Sequence, residues 1–368
     1  MKQTSFLKNK MNKVLFFLLL CHHLLLQPEV LSAATLPAIY VFGDSTVDVG
    51  NNNYLPDDAP KANFPPYGID YQGQNSTGRF CNGFLGVDFI AKTMGLAASP
   101  PPFLSLSKAK QTPRRGVNFA SAGSGILPTT GNDVIAMSTQ IRDFEGVAAD
   151  LTLGTRTNNK KRVSASLNES LFFFSVGSND LFAFAATLIP GNDTRVDEIV
   201  TPIIDEFKNQ LKMLYGMGAR KFAVAGTGLL GCIPAIRVLD PSYECNVDLN
   251  DLSMHFKNAT EALLEDLRIS LHGFEYSFAD AYEMSIRIDA DLQEYGFTEP
   301  RVACCGSGRR NAEDQCLRNT TYCRNRNQYL FWDINHPTQA LYKVIARLWL
   351  FGPPELAYPV NLQRLLQS

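Results

Sequence analysis

The chain has 368 residues, 45% of them hydrophobic and 19% charged, with a formal net charge of −2. That balance excludes a nucleic-acid binder, because neutralising a phosphate backbone calls for a clustered excess of Lys and Arg. The length suits one large α/β unit with a substantial core.

At the N-terminus, Lys2, Lys8, Lys10 and Lys13 precede an apolar run at 14–26, followed by the small residues Ser32, Ala33 and Ala34. This is the layout of a secretory signal peptide cleaved near Ala34. The run is too short for a membrane anchor and is interrupted by His22 and His23. No later stretch approaches the roughly 20 apolar residues of a spanning helix. The expected product is therefore a single secreted domain, residues 35–368, with no stable membrane insertion.

Short apolar, β-rich runs follow at 39–42, 116–119, 171–176, 221–225 and 274–278. Runs that are apolar on both faces suit strands of a buried parallel sheet. Amphipathic stretches at 84–94, 196–217, 249–271 and 338–350 are long enough for helices. Strands alternating with helices predict an α/β sandwich, with helix layers covering both faces of the sheet. The basic cluster Lys160, Lys161 and Arg162 reads as a solvated loop. No internal repeat or low-complexity linker divides the chain.

The first strand ends at Gly43-Asp44-Ser45, the second at Ala120-Ser121-Ala122-Gly123 and the third at Gly177-Ser178-Asn179-Asp180. In open α/β sheets, ligands bind beyond the carboxyl ends of the strands, where the order reverses. If the first strand lies between the other two, all three turns face one crevice.

Serine is a weak nucleophile until a base takes its proton. Beyond residue 34 there are three histidines. His255 falls in an amphipathic helix pattern, and His272 stands just before Gly273 at a helix end. His336 follows Asp333 by three residues, a spacing that lets the carboxylate fix the ring's tautomer and stabilise the imidazolium. On its own an Asp-x-x-His reads first as a structural hydrogen bond, and Gly-Asp-Ser is equally compatible with a turn capping the next helix. In that turn Asp44 reads as a brace for Ser45 and not as a reacting group.

Acyl transfer also requires donors aimed at a developing oxyanion. The backbone N–H groups of Ser45 and Gly123 and the side-chain amide of Asn179 are candidates. A phosphate cradle at 122–125 lacks the G-K-[ST] or G-x-G-x-x-G that it would need. The segment from Leu181 to Ile189 is apolar enough to line an acyl site, but the buried face of a helix is the preferred reading.

Seven cysteines follow residue 34: Cys81, Cys232, Cys245, Cys304, Cys305, Cys316 and Cys323. In an oxidising compartment most should pair. Neighbouring Cys304 and Cys305 cannot bridge each other with ordinary geometry, so each reaches a different partner, with Cys316 and Cys323 close enough in sequence. Cys232 and Cys245 would close a short loop, leaving Cys81 unpaired. The absence of a C-x-x-C pair argues against zinc, and no metal or other cofactor is expected. Sequons at Asn75, Asn168, Asn192, Asn258 and Asn319 predict surface glycosylation.

The blocks FGDSTVDVGNNN at 42–53, GVNFASAGSG at 116–125, GSND at 177–180 and FWDINHPT at 331–338 together resemble the plant branch of the GDSL esterase/lipases, within the SGNH hydrolases. The shorter signatures YGIDY, TGRFCNG and ACCG are similar to that branch as well. The resemblance covers nearly all of the chain beyond the signal, in order. It implies Ser45 as nucleophile, Gly123 and Asn179 as oxyanion donors, His336 as base and Asp333 as its orienting carboxylate. It also implies a flavodoxin-like, five-stranded, mainly parallel sheet of order 2-1-3-4-5 in a three-layer sandwich. Thr46 stands where the family's name-giving Leu would be, and Cys81 where a Ser is more usual.

The resulting expectation is a serine esterase or lipase acting on small-molecule or lipid esters, in the cell wall or apoplast if the chain comes from a plant. The same site could pass the acyl group to a hydroxyl acceptor, as in cutin assembly, or remove acetyl groups from wall glycans. A non-catalytic binding or defence protein is the rival of a different class. The natural ester and the oligomeric state are not legible in the sequence.

Overall fold

The computed structural model describes residues 38–109, 115–153, 160–185 and 193–368. The expected signal peptide, the sequon at Asn192, and Leu188 and Ile189 of the apolar segment lie outside those residues.

Five parallel strands, β1 (Ile39–Gly43), β2 (Gly116–Asn118), β3 (Leu171–Ser175), β4 (Lys221–Ala225) and β5 (Glu275–Ala279), form the central sheet in the order β2-β1-β3-β4-β5. β1 therefore lies between β2 and β3, as the convergence of the three turns requires. Its register pairs Ile39 with Gly116 and Leu171, and Gly43 with Ser175.

The expected five strands gain a sixth at the edge. A parallel pair, β6 (Glu299–Ala303) and β7 (Tyr329–Phe331), forms a separate small sheet, and β8 (Ala357–Tyr358) runs antiparallel to β5. Two residues between Pro354 and Pro359 carry no period-2 signal, and Pro359 has no N–H with which to extend the ladder.

Alternation along the strands sorts the core into two layers. Tyr40, Phe42, Phe172, Phe174, Phe222 and Phe278 point to one face, under the helices Met137–Leu153, Asp193–Gly216 and Val247–Ser270. The rings pack closely, with centroids 5.2 Å apart for Phe42–Phe119 and for Phe42–Phe174, and 4.3 Å for Phe222–Phe274. Smaller side chains, Ile39, Val41, Leu171 and Ala223, occupy the other face with Phe173. They meet the helices Gly86–Thr93, Gln339–Phe351 and Leu362–Gln367 through Val87, Ile90, Trp349 and Leu365. Burying one such Phe or Leu contributes roughly 1.5–3 kcal/mol, so the sheet is anchored from both sides.

Helices expected at 84–94, 196–217, 249–271 and 338–350 occur as Gly86–Thr93, Asp193–Gly216, Val247–Ser270 and Gln339–Phe351. The basic cluster at 160–162, expected in a loop, instead opens the helix Lys160–Glu169. Lys and Arg are good helix formers, and that propensity prevails over the charge run.

Three disulfides join Cys232–Cys245, Cys304–Cys323 and Cys305–Cys316, so the adjacent cysteines do take different partners. Cys81 is free and buried. Burial pushes its thiol well above the ordinary range, which keeps it unreactive.

Candidate active site

β1 delivers the first element through a position that only glycine fits. Gly43 has φ +139°, and a Cβ there would lie 2.0 Å from the Ser175 carbonyl oxygen of β3. Gln140 clasps the same residue, its Oε1 accepting from the Gly43 N–H and its Nε2 donating to the Gly43 carbonyl, both at 2.9 Å. The chain then turns, and Ser45 stands at the carboxyl end of the sheet.

Asp44 braces this turn, as expected. Its Oδ1 accepts from the Thr46 N–H at 2.9 Å and the Thr46 hydroxyl at 2.7 Å. Burial raises the Asp44 carboxyl to about 6 despite those bonds. Thr46 Oγ1 also lies 2.7 Å from Ser175 Oγ, a tie to β3 that a Leu at this position could not make.

Asp333 and His336 come from the loop after β7. His336 Nε2 lies 2.9 Å from Ser45 Oγ, and its Nδ1 lies 2.8 Å from Asp333 Oδ1. Hydroxyl, imidazole and carboxylate thus stand in one line across 291 residues of sequence. The Asp333 carboxylate also accepts from the Asn335 N–H at 2.9 Å, the His336 N–H at 2.8 Å and the Tyr67 hydroxyl at 2.8 Å. Burial alone would raise this carboxyl. The His336 imidazole and the donors around it outweigh burial and hold it below the usual range. Phe80 packs against the His336 ring with centroids 5.0 Å apart.

The loop carrying Asp333 is fastened on both sides. The Cys304 and Cys305 N–H groups donate to the carbonyls of Phe331 and Trp332, which ties two of the disulfides to the residues just before Asp333. On the other side, Asn82 accepts from the Gln339 N–H at 2.8 Å and donates to Asp70 at 2.7 Å. Arg326 grips Asp70 through two nitrogens, at 2.6 and 2.8 Å.

Gly177, with φ +116° and a Cβ position 2.7 Å from the Phe256 ring, ends β3 and opens the helix Ser178–Ala185. Asn179 Nδ2 donates to the Ser124 carbonyl at 2.9 Å, which fixes its amide beside the loop after β2. Asp180 secures that loop by accepting from Ile126 and Leu127 N–H and the Thr130 hydroxyl at 2.7–3.0 Å. Asp48 accepts from the N–H groups of Gly50, Asn51 and Ala122, and joins the loop after β2 to the segment after Ser45. Among the described residues, the N–H groups of Ser45 and Gly123 have no acceptor.

Ser45, Asn179 and His336 line one cavity of about 280 Å³; Gly123 is not in its wall. His255 and His272 are also absent from that wall. Within the apolar helical segment, Leu181 is buried in the core, as the preferred reading had it, and Phe182 reaches the cavity. Asn75, Asn258 and Asn319 are exposed, whereas Asn168 is half-buried with its amide donating to the Gly218 and Ser164 carbonyls.

Sequence reasoning missed Tyr67, Gln140 and Asp48. Tyr67 opens the YGIDY signature, and that was its only trace; Gln140 belongs to no motif and acts on a backbone 97 residues away.

An open α/β sheet with an aligned serine, histidine and aspartate beyond its strand ends belongs to the hydrolase class that supports acyl transfer. Residues 39–349 match the family described as GDSL-like Lipase/Acylhydrolase, and the chain belongs to it. It is a hydrolase of the SGNH type, in a family of carboxylic ester hydrolases. A GDSL esterase/lipase of Arabidopsis thaliana is 37% identical over 337 residues, 90% of this chain and 85% of that protein. GDSL esterase/lipase 7 of the same plant is 35% identical, across 89% of this chain and 92% of its own length.

Proposed function

We propose that residues 35–368 form one secreted catalytic domain that hydrolyses carboxylic esters through Ser45, His336 and Asp333. The observation that carries this reading is the 2.9 Å approach of His336 Nε2 to Ser45 Oγ, with Nδ1 held by a buried Asp333. His336 takes the Ser45 proton as Oγ attacks the ester carbonyl. The oxyanion meets the N–H groups of Ser45 and Gly123 and the second N–H of the Asn179 amide, the first being held by Ser124. The imidazolium then protonates the departing alcohol, and a water activated by His336 releases the acid from Ser45.

Secretion is supported by the signal-like N-terminus, three disulfides and the exposed sequons at Asn75, Asn258 and Asn319. No helix among the described residues is long and apolar enough to cross a membrane. Glycosylation is proposed for those three positions, while the engaged amide of Asn168 disfavours it there. An aligned Ser45–His336–Asp333 set argues against a non-catalytic binding role.

The test is a screen of p-nitrophenyl esters, with Ser45→Ala as the blank. Hydrolysis by the wild-type chain that disappears in the variant supports the reading. Equal rates in both would reject it.

A further inference from the structure

A buried cation stands in the wall of the cavity. Arg237 closes the short helix Pro234–Arg237 and is only 5% exposed, yet it lines the same cavity as Ser45 and His336. Its helix is fastened to the loop bearing His336, because the Ala235 N–H donates to the Ile334 carbonyl at 2.9 Å. The guanidinium itself is held within a closed ring. Nε donates to the Cys232 carbonyl at 2.8 Å and Nη1 to the Tyr243 carbonyl at 3.2 Å, both inside the loop that the Cys232–Cys245 disulfide closes. A guanidinium carries five N–H donors, so three are left over, one on Nη1 and both on Nη2. Among the described residues Nη2 meets no acceptor, and unlike Thr227 Oγ1 it is not sealed inside the protein. Counter-charge is short as well. Glu244 lies 3.9 Å from Nη1, but it is exposed, and Arg301 shares it at 3.4 Å. Asp289, on the same cavity wall, acts on Arg237 only at a distance. Burial, and then the Arg301 charge, hold the guanidinium below the ordinary arginine range. A buried cation with so little compensation is costly to keep, and the chemistry of Ser45, His336 and Asp333 makes no use of it.

Building on the ester-hydrolase reading above, the geometry points to Arg237 as a carboxylate receptor: the substrate is an ester that also carries a free carboxylate, separate from the bond to be cleaved, and that group pairs with the unclaimed N–H groups of Nη1 and Nη2. The planar fork of a guanidinium matches the two oxygens of a carboxylate. Here the fork is fixed in advance by its bonds to Cys232 and Tyr243, so little side-chain freedom is lost when the ligand arrives. The carboxylate selects the substrate and takes no part in the bond changes at Ser45. An ester whose acid and alcohol are both uncharged leaves the guanidinium unpaired, and is the poorer substrate.

The test uses matched pairs at about pH 7.5, where a free carboxyl group is ionised. The mono-p-nitrophenyl esters of adipic and suberic acid carry the carboxylate on the acyl side, and 4-acetoxybenzoate carries it on the alcohol side. Each is compared with its own methyl ester. In at least one pair the wild-type chain should favour the anion in kcat/KM by about ten-fold or more. Arg237→Gln should lower the anion-to-methyl-ester ratio of that pair by about ten- to a hundred-fold, the worth of a hydrogen bond between charged groups. Taking the ratio cancels any general loss of activity in the variant. Glu244→Gln removes the competing carboxylate from an exposed position and should raise the ratio several-fold, so the proposal stays open to refutation if Arg237→Gln fails to fold. Methyl esters accepted at least as well as the anions in all three pairs, or a ratio unmoved in either folded variant, would overturn the carboxylate receptor and leave the ester-hydrolase reading standing. Failure of the wild-type chain to hydrolyse any of these esters, charged or methylated, would instead count against the parent reading.

Discussion

Asp333→Asn removes a charge while keeping the side chain's shape. Oδ1 accepts from the Asn335 and His336 N–H groups, and an asparagine oxygen in that place preserves both bonds. Its NH₂ then occupies the position of Oδ2, facing the Tyr67 hydroxyl at 2.8 Å and His336 Nδ1 at 2.9 Å. Tyr67 adapts, because a hydroxyl can accept as well as donate. The imidazole meets the retained oxygen at 2.8 Å and this NH₂ at 2.9 Å; the NH₂ favours the tautomer in which Nδ1 accepts, which moves its proton to Nε2, the atom that must take the proton of Ser45. The variant also loses the attraction between carboxylate and imidazolium, about 4 kcal/mol at an effective dielectric of 20 and about 4 Å between charge centres. That alone is on the order of a thousand-fold, and the tautomer brings the expected loss of kcat to about 10⁴-fold. The assay is hydrolysis of a short p-nitrophenyl ester, with near-ultraviolet circular dichroism to establish that the variant is folded. A folded variant within ten-fold of wild-type kcat would refute the assigned role of Asp333.

Four further outcomes are expected. Asn179→Ala should cost about 10²–10³-fold in kcat and, through the lost bond to Ser124, about 1 kcal/mol of stability read by urea unfolding. Tyr67→Phe removes a donor to the Asp333 carboxylate and should raise that carboxyl, visible as a displaced acid limb of the kcat–pH profile; an unmoved limb would make Tyr67 merely structural. Asp44 and Asp48, lifted by burial to about 6 from 3.8, bind protons more readily folded than unfolded, so each should add about 1 kcal/mol of stability as pH falls from 7 to 5. Asp333 and Asp70, held low, lose their contribution only as pH falls through their own folded values, so the melting temperature should be higher at pH 5 than at pH 7. Replacing Cys232 and Cys245 together by Ser opens a short ring and should cost about 3 kcal/mol in the loop-closure model, measured by the same unfolding assay.

The strands were legible where burial on both faces makes a run continuously apolar, as at Leu171–Ser175. Helices with a clear apolar stripe, such as Gln339–Phe351, were legible to within a residue or two at each end. Met137–Leu153 was not, because Gly146 and several polar residues interrupt its pattern. β6 and β7 escaped notice because their pairing rests on a loop closed by disulfides and not on a periodic run of their own. Within the site, Ser45, Asp333, His336 and Asn179 announced themselves as side chains whose chemistry is specific at short spacing. Tyr67 acts on the Asp333 carboxylate across 266 residues and Gln140 on the Gly43 backbone across 97, so no local pattern marks them. The cavity draws on the turns after β1, β3 and β4, on the loop bearing His336 and on the helices around them, so it is a property of packing that no single stretch of sequence carries.

The most direct test of the account is mass spectrometry of the intact protein and its peptides after exposure to a fluorophosphonate, which bonds only to a serine whose proton a neighbouring base can remove. The expected result is one adduct, on the peptide bearing Ser45, absent from Ser45→Ala and strongly slowed in His336→Ala. No adduct on the folded wild-type chain, or one on a different serine, would contradict the pairing of Ser45 with His336.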